Sequence, residues 1–302
     1  MDQNEVNMMK IPKSRRAGFV IITAVYIAAA AAGILLYRVL AGILSPALSL
    51  LVSDIAATVI VYIFSVLLRN ASVYDPYWSV QPPVIMLSAA VMYGFGAAGT
   101  LMCAVILYWA GRLTGNWVYT FGGLGHQDWR YTMLKEKTGR FYQIVNFTGI
   151  HMVPTLIVYA CTLPAAETMR SGAGINTGVI AGAAVSVIGV ALELFADISL
   201  HRFRAKKTGG LIRVGLWKYS RHPNYLGEIM MWWGVALSSC AAIGFSPLWI
   251  AGAAANTVLF LAVSIPMADR RQSAKSGYDE YRRETRMLLP LPRLRAVKPD
   301  EK

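Results

Sequence analysis

The sequence is poor in charged residues and poorer still in acids. Charged residues make up 15% of its 302 residues, whereas an ordinary soluble domain has about a quarter. Cysteine is scarce too: the three cysteines lie far apart in apolar runs, with no C-x-x-C pair. This spacing argues against a disulfide framework and against a zinc site. We therefore expect Cys103, Cys161 and Cys240 to be packing residues.

What the sequence has in place of charge is long apolar runs. Hydrophobic residues make up 56% of the chain, and long runs begin at Ala17, Pro46 and Asn176. About 20 apolar residues at 1.5 Å per residue cross a hydrocarbon core of about 30 Å. The pattern predicts an all-α, polytopic transmembrane helical bundle of about 7–8 spans. The predicted spans are 18–40, 47–69, 79–97, 99–118, 143–163, 175–200, 225–242 and 246–266.

The distribution of positive charge predicts how the spans are oriented. The formal net charge is +13, and Lys and Arg concentrate at the N-terminus, in residues 130–140 and 202–221, and after Asp269. The connections "AGILSP" and "TMRSGAGI" carry few or none. By the positive-inside rule we expect both termini to lie in the cytoplasm. We thus expect an N-terminal segment 1–17, a transmembrane domain 18–267 and a C-terminal tail 268–302. We expect the positively charged residues to face the lipid bilayer and not to bind nucleic acid.

Acids inside predicted spans need an explanation, because charge is costly in hydrocarbon. Asp54 stands alone in the second span. Glu193, Asp197 and His201 are spaced i, i+4, i+8 and so share one face of the sixth span. That spacing is compatible with a carboxylate–histidine metal site, and equally with interfacial residues that pair with a nearby arginine such as Arg204. We assign no metal.

The segment 201–224 combines cations with aromatic rings. It contains no acid, and its cations are Arg202, Arg204, Lys206, Lys207, Arg213, Lys218 and Arg221. Arginines make bidentate contacts with phosphate, and rings such as Trp217 and Tyr225 offer surfaces on which a base can stack. The segment suits a nucleotide with several phosphates, although a loop that faces lipid headgroups has a similar composition.

A helix is predicted to begin directly after this segment. Pro223 disfavours helix at His222 and permits a helix to start immediately afterwards. Asn224 and Glu228 are four residues apart and therefore lie on the same face of that helix. An acid in this place can accept a hydrogen bond from an amide or a ribose hydroxyl. The pattern indicates the rim of a ligand site at the membrane surface.

These stretches resemble a known family. "GLWKYSRHPNYLGEIMMWWGVAL" and, about 40 residues later, "GYDEYRRETRMLLPLPR" are similar to the steroid 5α-reductase-like proteins, in their bacterial DUF1295-type branch. "FADISLHRFR" and "GRLTGNWVYTFGGLGHQDWRY" fit the same pattern, so the resemblance covers roughly residues 70–295. It implies an NADPH-dependent reductase of an enone carbon–carbon double bond in a steroid- or isoprenoid-like lipid, located in a bacterial inner membrane. The family binds its dinucleotide without a Rossmann fold, and no G-x-G-x-x-G follows a strand here.

The resemblance also implies site residues. Cofactor contacts are expected from Arg112 and Asn116 of an R-x-x-x-N stretch, from a helix end, from the R-H-P-N-Y-x-G-E segment, and from a Y-x-x-Y-R tail that closes over the cofactor. In the last three motifs the residues are Asp197, Arg204, Arg221, His222, Asn224, Tyr225, Glu228, Tyr278, Tyr281 and Arg282.

The catalytic pair is implied by the same resemblance. The eukaryotic steroid enzymes polarise the enone oxygen with a Glu and a Tyr that lie about 34 residues apart. Here "DPYWS" contributes Asp75, and "YWAGR" contributes Tyr108, with Trp109 as the alternative one position later. Asp75 also suits an interfacial turn or helix cap, so that both interpretations remain open.

Two other classes of protein compete with the reductase. Isoprenylcysteine carboxyl methyltransferases, which use S-adenosylmethionine, carry a similar "R-H-P-x-Y-x-G" segment, but Tyr219 is displaced from their pattern and their "E-E-x-x-L" tail is absent. A transporter would place polar residues near mid-bilayer in paired repeats. Asp54 alone fits that description, and the sequence shows no internal repeat.

Overall fold

The computed structural model describes residues 14–207 and 209–291. These residues form helices and turns, with no β-strand among them. The predicted cytoplasmic ends of the chain, residues 1–13 and 292–302, lie outside the described residues. The helices are α1 (Arg15–Leu40), α2 (Pro46–Leu67), α3 (Tyr77–Tyr93), α4 (Ala97–Thr120), α5 (Trp129–Thr138), α6 (Tyr142–Val145), α7 (Val153–Ser171), α8 (Thr177–Ala205), α9 (Pro223–Ile243), α10 (Pro247–Leu259), α11 (Ile265–Ser273) and α12 (Tyr278–Glu284).

Seven helical stretches of the described chain are long and apolar enough to cross a membrane. Five of them are α1, α2, α4, α8 and α9, and the others are the continuous stretches Trp129–Ser171 and Pro247–Ser273. The prediction of an all-α polytopic bundle is confirmed. The two continuous stretches outrun the predicted spans 143–163 and 246–266. The first begins earlier because the 3-10 turn Gly139–Phe141 joins α5 to α6, and the second ends later because the π-helical segment Phe260–Ser264 joins α10 to α11.

The predicted third span, 79–97, corresponds to a shorter helix. Helix α3 has 17 residues and ends at Gly94, whose φ of 88° is a conformation that glycine adopts without strain. The turn that follows α3 is therefore made at Gly94. Three other connections begin helices with side-chain caps: Ser45, Asn176 and Ser246 accept hydrogen bonds from backbone amides of α2, α8 and α10. Such caps satisfy amides that a helix start leaves unpaired.

The chain divides into two compact units, the first ending at Gly172 and the second beginning at Ala173. In the first unit a cluster of aromatic and aliphatic side chains joins α1, α2 and α3. Its aromatic members are Tyr26, Tyr74 and Tyr77, with ring centroids 5.4 Å apart for Tyr26 and Tyr77 and 5.6 Å apart for Tyr74 and Tyr77. The Tyr26 hydroxyl donates to the carbonyl of Val73 at 2.5 Å, which fixes the turn between α2 and α3.

In the second unit α8 and α9 pack through small residues. A Cβ on Gly234 would lie 2.5 Å from the carbonyl oxygen of Gly182, and a Cβ on Gly189 would lie 2.5 Å from that of Gly227. The Ser186 hydroxyl donates to the carbonyl of Met231 at 2.8 Å. Small residues allow helix backbones to approach this closely inside a bilayer. The start of α9 is thereby held against α8.

We expect Gly234→Ala to destabilise the protein by about 1–3 kcal/mol, because the added methyl group overpacks a backbone contact. The measurement is the unfolding free energy of detergent-purified protein titrated with a denaturing detergent. Gly111→Ala is the matched control: no atom lies within 4 Å of its Cβ position. That change should be neutral or stabilise the helix by up to about 1 kcal/mol. Equal stability of the two variants would contradict the close packing of α8 and α9.

Candidate functional site

Asp75 lies at the end of a 3-10 turn, Ala71–Tyr74, which connects α2 to α3. The Asn70 side chain stabilises this turn through hydrogen bonds of both its amide oxygen and its amide nitrogen. Its Oδ1 accepts from the amide of Ser72 at 2.9 Å, and its Nδ2 donates to the carbonyls of Leu124 and His126 at 2.8 and 3.0 Å. The turn is therefore fastened to the loop between α4 and α5.

The Asp75 carboxyl accepts a hydrogen bond from the Tyr131 hydroxyl, with 2.6 Å between Oδ1 and the phenol oxygen. Burial raises the pKa of Asp75 to about 6, although the nearby Arg130 guanidinium and the Tyr131 hydrogen bond act in the opposite direction. Arg130 is itself bonded to Asp128, at 2.8 Å. A carboxyl with this pKa can hold a proton close to neutral pH, which is what a hydrogen-bond donor to a substrate oxygen requires.

Tyr108, the tyrosine suggested by the spacing, does not join this network. Its side chain is 43% exposed, and no hydrogen bond between described residues connects it with Asp75. The alternative, Trp109, is fully buried against Trp78, with ring centroids 5.9 Å apart. The role of Tyr108 stays a prediction, and the structure adds Tyr131 as a second candidate phenol. Tyr131 belongs to "GHQDWRY". Its distance from Asp75 along the sequence does not match the spacing of about 34 residues expected for the catalytic pair, so the sequence did not indicate it.

Two predicted cofactor residues also belong to the first unit. Arg112 and Asn116 lie one turn apart on α4 and are both half-buried. Their i, i+4 spacing puts them on one face of that helix, as the R-x-x-x-N stretch implies. The other predicted cofactor residues all belong to the second unit.

Within the second unit, Arg221 and His222 converge on Asp269 of α11. Arg221 Nη2 lies 3.1 Å from Asp269 Oδ2, and His222 Nε2 lies 2.9 Å from Asp269 Oδ1. Both basic side chains are buried, and Arg221 Nη1 also donates to the carbonyl of Thr285 at 2.9 Å. Sequence reasoning missed Asp269, because its partners lie 47 and 48 residues away along the chain.

The C-terminal tail packs onto the same segment. The amides of Arg221 and His222 donate to the carbonyls of Arg286 and Met287 at 2.9 and 3.2 Å. The Tyr281 hydroxyl donates to the carbonyl of Trp217 at 2.6 Å, and burial raises the pKa of Tyr281 to about 12. Tyr278 is buried as well, whereas the Arg282 side chain is exposed. Arg221 and His222 thus position the tail as well as the start of α9.

The first turns of α9 carry the remaining motif residues. The His222 ring stacks on the Tyr225 ring, with centroids 5.3 Å apart and planes within 7°. Glu228 is buried, and its Oε1 accepts from the Trp232 indole at 2.8 Å. Asn224 is half-buried at the helix start. This face of α9 offers a ring surface, an amide and a carboxyl within two turns.

A group of cations lies at the end of α8 and along α11. Partial burial and the nearby charges of Arg204 and Arg271 lower the pKa of Lys275, which also donates to the carbonyl of Gly210 at 3.0 Å. Desolvation and like charges both lower a lysine pKa, so the charges of Arg204 and Arg271 contribute part of this shift. Asp197, on α8, is buried in the same region. Such a group of cations suits an anion with several charges. Within residues 14–207 and 209–291, no group of three or more His, Cys, Asp or Glu residues is placed to hold a metal ion.

The fold and these sites define a polytopic helical membrane protein with a buried acid in one unit and a cationic, aromatic site in the other. The family described as "Protein of unknown function (DUF1295)" matches residues 61–285. The chain belongs to this family, which is the steroid 5α-reductase-like group that its motifs indicate. Family and fold together fit a membrane enzyme of that group.

One curated relative is an uncharacterized protein of Schizosaccharomyces pombe. It is 27% identical to this chain over an alignment of 198 residues, and the match covers 56% of this chain and 57% of that protein. The match thus spans little more than half of the relative's length. No solved structure matches the chain.

We expect Asp269→Asn to destabilise the protein by about 3 kcal/mol, because it leaves the buried Arg221 guanidinium without its anionic partner. Thermal unfolding and limited proteolysis of the tail in detergent are the measurements. Asp279→Asn is the control: this exposed acid lies in the first turn of α12, so its loss should cost at most about 1 kcal/mol. An Asp269→Asn protein as stable and as protease-resistant as the control would show that this ion pair does not hold the tail.

Proposed function

We propose that the protein is an integral-membrane, NADPH-dependent reductase of the carbon–carbon double bond of an enone in a steroid- or isoprenoid-like lipid. The observation that carries the proposal is the part-buried Asp75–Tyr131 hydrogen bond of 2.6 Å within the region that matches the family. An acid and a phenol are the two groups that the family is expected to use at the enone oxygen. The seven apolar helices support a lipid substrate, because the bilayer is where such a molecule dissolves.

The chain's own contribution to the reaction is to stabilise charge. NADPH, when bound, supplies the hydride that the β-carbon of the enone receives. Negative charge then develops on the carbonyl oxygen, where a fixed hydrogen-bond donor is most effective. In our proposal protonated Asp75 donates from Oδ2, while Tyr131 holds Oδ1 and thereby fixes the orientation of the acid. Because Asp75 must carry its proton, a raised pKa is a requirement of this role.

The second unit supplies residues that fit the cofactor. Partial burial and the neighbouring charges of Arg204 and Arg271 lower the pKa of Lys275, and a bound phosphate would relieve the part of this shift that comes from repulsion between the cations. We propose that Arg204, Arg271 and Lys275 hold the phosphates, with Asn224 and Glu228 toward the nicotinamide. Arg221 and His222 contribute by holding α9 and the tail in place. We further propose that loops 119–142 and 201–224 lie in the cytoplasm, where NADPH is available.

Asp75→Asn should leave NADPH affinity unchanged and lower the turnover of a steroid enone by at least about tenfold, because one transition-state hydrogen bond is weakened. In the native enzyme turnover should fall as pH rises through about 6, since Asp75 loses its proton there. The variant should lack this pH dependence. The measurement is a pH series of NADPH oxidation in detergent, with Tyr131→Phe and Tyr108→Phe alongside. Unchanged turnover in Asp75→Asn would remove this residue from the reaction, and a loss in Tyr108→Phe alone would favour Tyr108 as the phenol.

Arg204→Gln should weaken NADPH binding about tenfold and affect NADH much less, because a charge-assisted contact with the extra phosphate is lost. Affinities are read from equilibrium titration of the purified protein with each dinucleotide. Lys206→Gln, two residues away on an exposed turn, removes the same charge and should change neither affinity. Equal losses for NADPH and NADH in Arg204→Gln would show that this arginine does not recognise the phosphate that distinguishes them.

A further inference from the structure

The first unit contains a cavity of about 360 Å³ between α1, α2, α3 and α7. A volume of this order is typical of sites that bind small organic molecules. Most of its wall is aliphatic, from residues such as Ala30, Leu50, Val84 and Leu163. Polar side chains line it where α1, α3 and α7 end. Among them Tyr37 and Tyr93 bond to each other at 2.7 Å, and Arg170 pairs with Glu167 at 2.7 Å.

Three buried polar residues line the apolar part of the same cavity. Ser53, Asp54 and Gln81 are 3%, 6% and 5% exposed. Gln81 Nε2 donates a hydrogen bond to Asp54 Oδ2, so that Asp54 does not stand alone as the sequence suggested. Neither Gln81 Oε1 nor Ser53 Oγ has a hydrogen-bond partner among the described residues. Buried polar atoms without partners are uncommon in folded proteins, and each of them needs an explanation.

We propose that the cavity binds one molecule of an apolar lipid alcohol, whose hydroxyl group donates to Gln81 Oε1 and accepts from Ser53 Oγ. The aliphatic wall covers the body of the molecule. A hydroxyl group satisfies both protein atoms, because it is a donor and an acceptor at once. A ketone can only accept, so it would leave Gln81 Oε1 unpaired, and a hydrocarbon would leave both atoms unpaired.

The site is distinct from the acid assigned to the reaction. Asp75 is not among the residues that line the cavity, whereas Tyr26 and Tyr77 are. The hydroxyl is thus recognised at one place, and Asp75 and Tyr131 act at another. A substrate of the proposed reductase must carry an enone as well as the hydroxyl group, and the statement that such a substrate occupies this cavity rests on that proposed function. That the cavity binds an alcohol rests on the first unit alone.

The test is equilibrium binding of a radiolabelled saturated steroid 3β-alcohol to the full chain in detergent, without NADPH. The matching ketone and the parent steroid hydrocarbon serve as competitors. We expect saturable binding, with the alcohol preferred over the hydrocarbon by roughly five- to tenfold. In an Asp54→Leu background, which removes the carboxyl that Gln81 pairs with, Gln81→Leu should abolish this preference and leave the affinity for the hydrocarbon intact, because it removes the hydrogen bond to the ligand and keeps the apolar wall.

A pair of variants on α1 tests the location. Ala30 lines the cavity, and Ala28 is exposed on the same helix outside it. Ala30→Phe should weaken all three steroids at least tenfold by filling the space, and Ala28→Phe should bind as the native protein does. Equal competition by alcohol and hydrocarbon, an unchanged preference when Gln81→Leu is added to Asp54→Leu, or normal binding by Ala30→Phe would overturn the proposal. So would a phospholipid that stays bound and prevents saturable binding. Because NADPH is absent, these results are independent of whether the chain reduces an enone.

Discussion

The hydrocarbon core of the membrane is the constraint on which this structure depends. It admits apolar side chains freely but makes each polar group costly unless that group has a partner. The chain accordingly has few charges, and two of its buried acids accept hydrogen bonds: Asp54 from Gln81, and Glu228 from Trp232. Close packing through Gly182 and Gly234 follows from the same constraint, because helices in a bilayer gain stability from contact and not from hydrophobic burial.

The sequence was sufficient to predict the features of the fold that the hydrocarbon core of the membrane determines. Apolar runs located the spans. The ends of the helices were harder to predict, because short segments such as the 3-10 turn Gly139–Phe141 and the π-helix Phe260–Ser264 continue a helix without any apolar period to indicate it. Hydropathy does not distinguish a helix that ends from one that continues with a bulge.

The sites were only partly predictable, for a different physical reason. Motif residues such as Asn224 and Glu228 could be placed together because helix geometry relates neighbours in sequence. Asp269 and Tyr131 could not, because tertiary packing alone brings them to Arg221 and Asp75, 48 and 56 residues away. Arg221 illustrates the limit well: its chemistry suits a phosphate, yet its guanidinium is buried against Asp269 and a backbone carbonyl.

The choice between a reductase and a methyltransferase depends on the cofactor that the native protein binds. A ligand that binds only the folded state raises the free energy of unfolding of the protein, by about 2.7 kcal/mol at a hundredfold excess over Kd. The melting temperature of the protein therefore rises. The direct measurement is thermal unfolding of the detergent-purified chain with NADPH, NADH or S-adenosylmethionine at equal concentration. The account predicts the largest shift with NADPH, a smaller shift with NADH and none with S-adenosylmethionine. Protection by S-adenosylmethionine alone would contradict it.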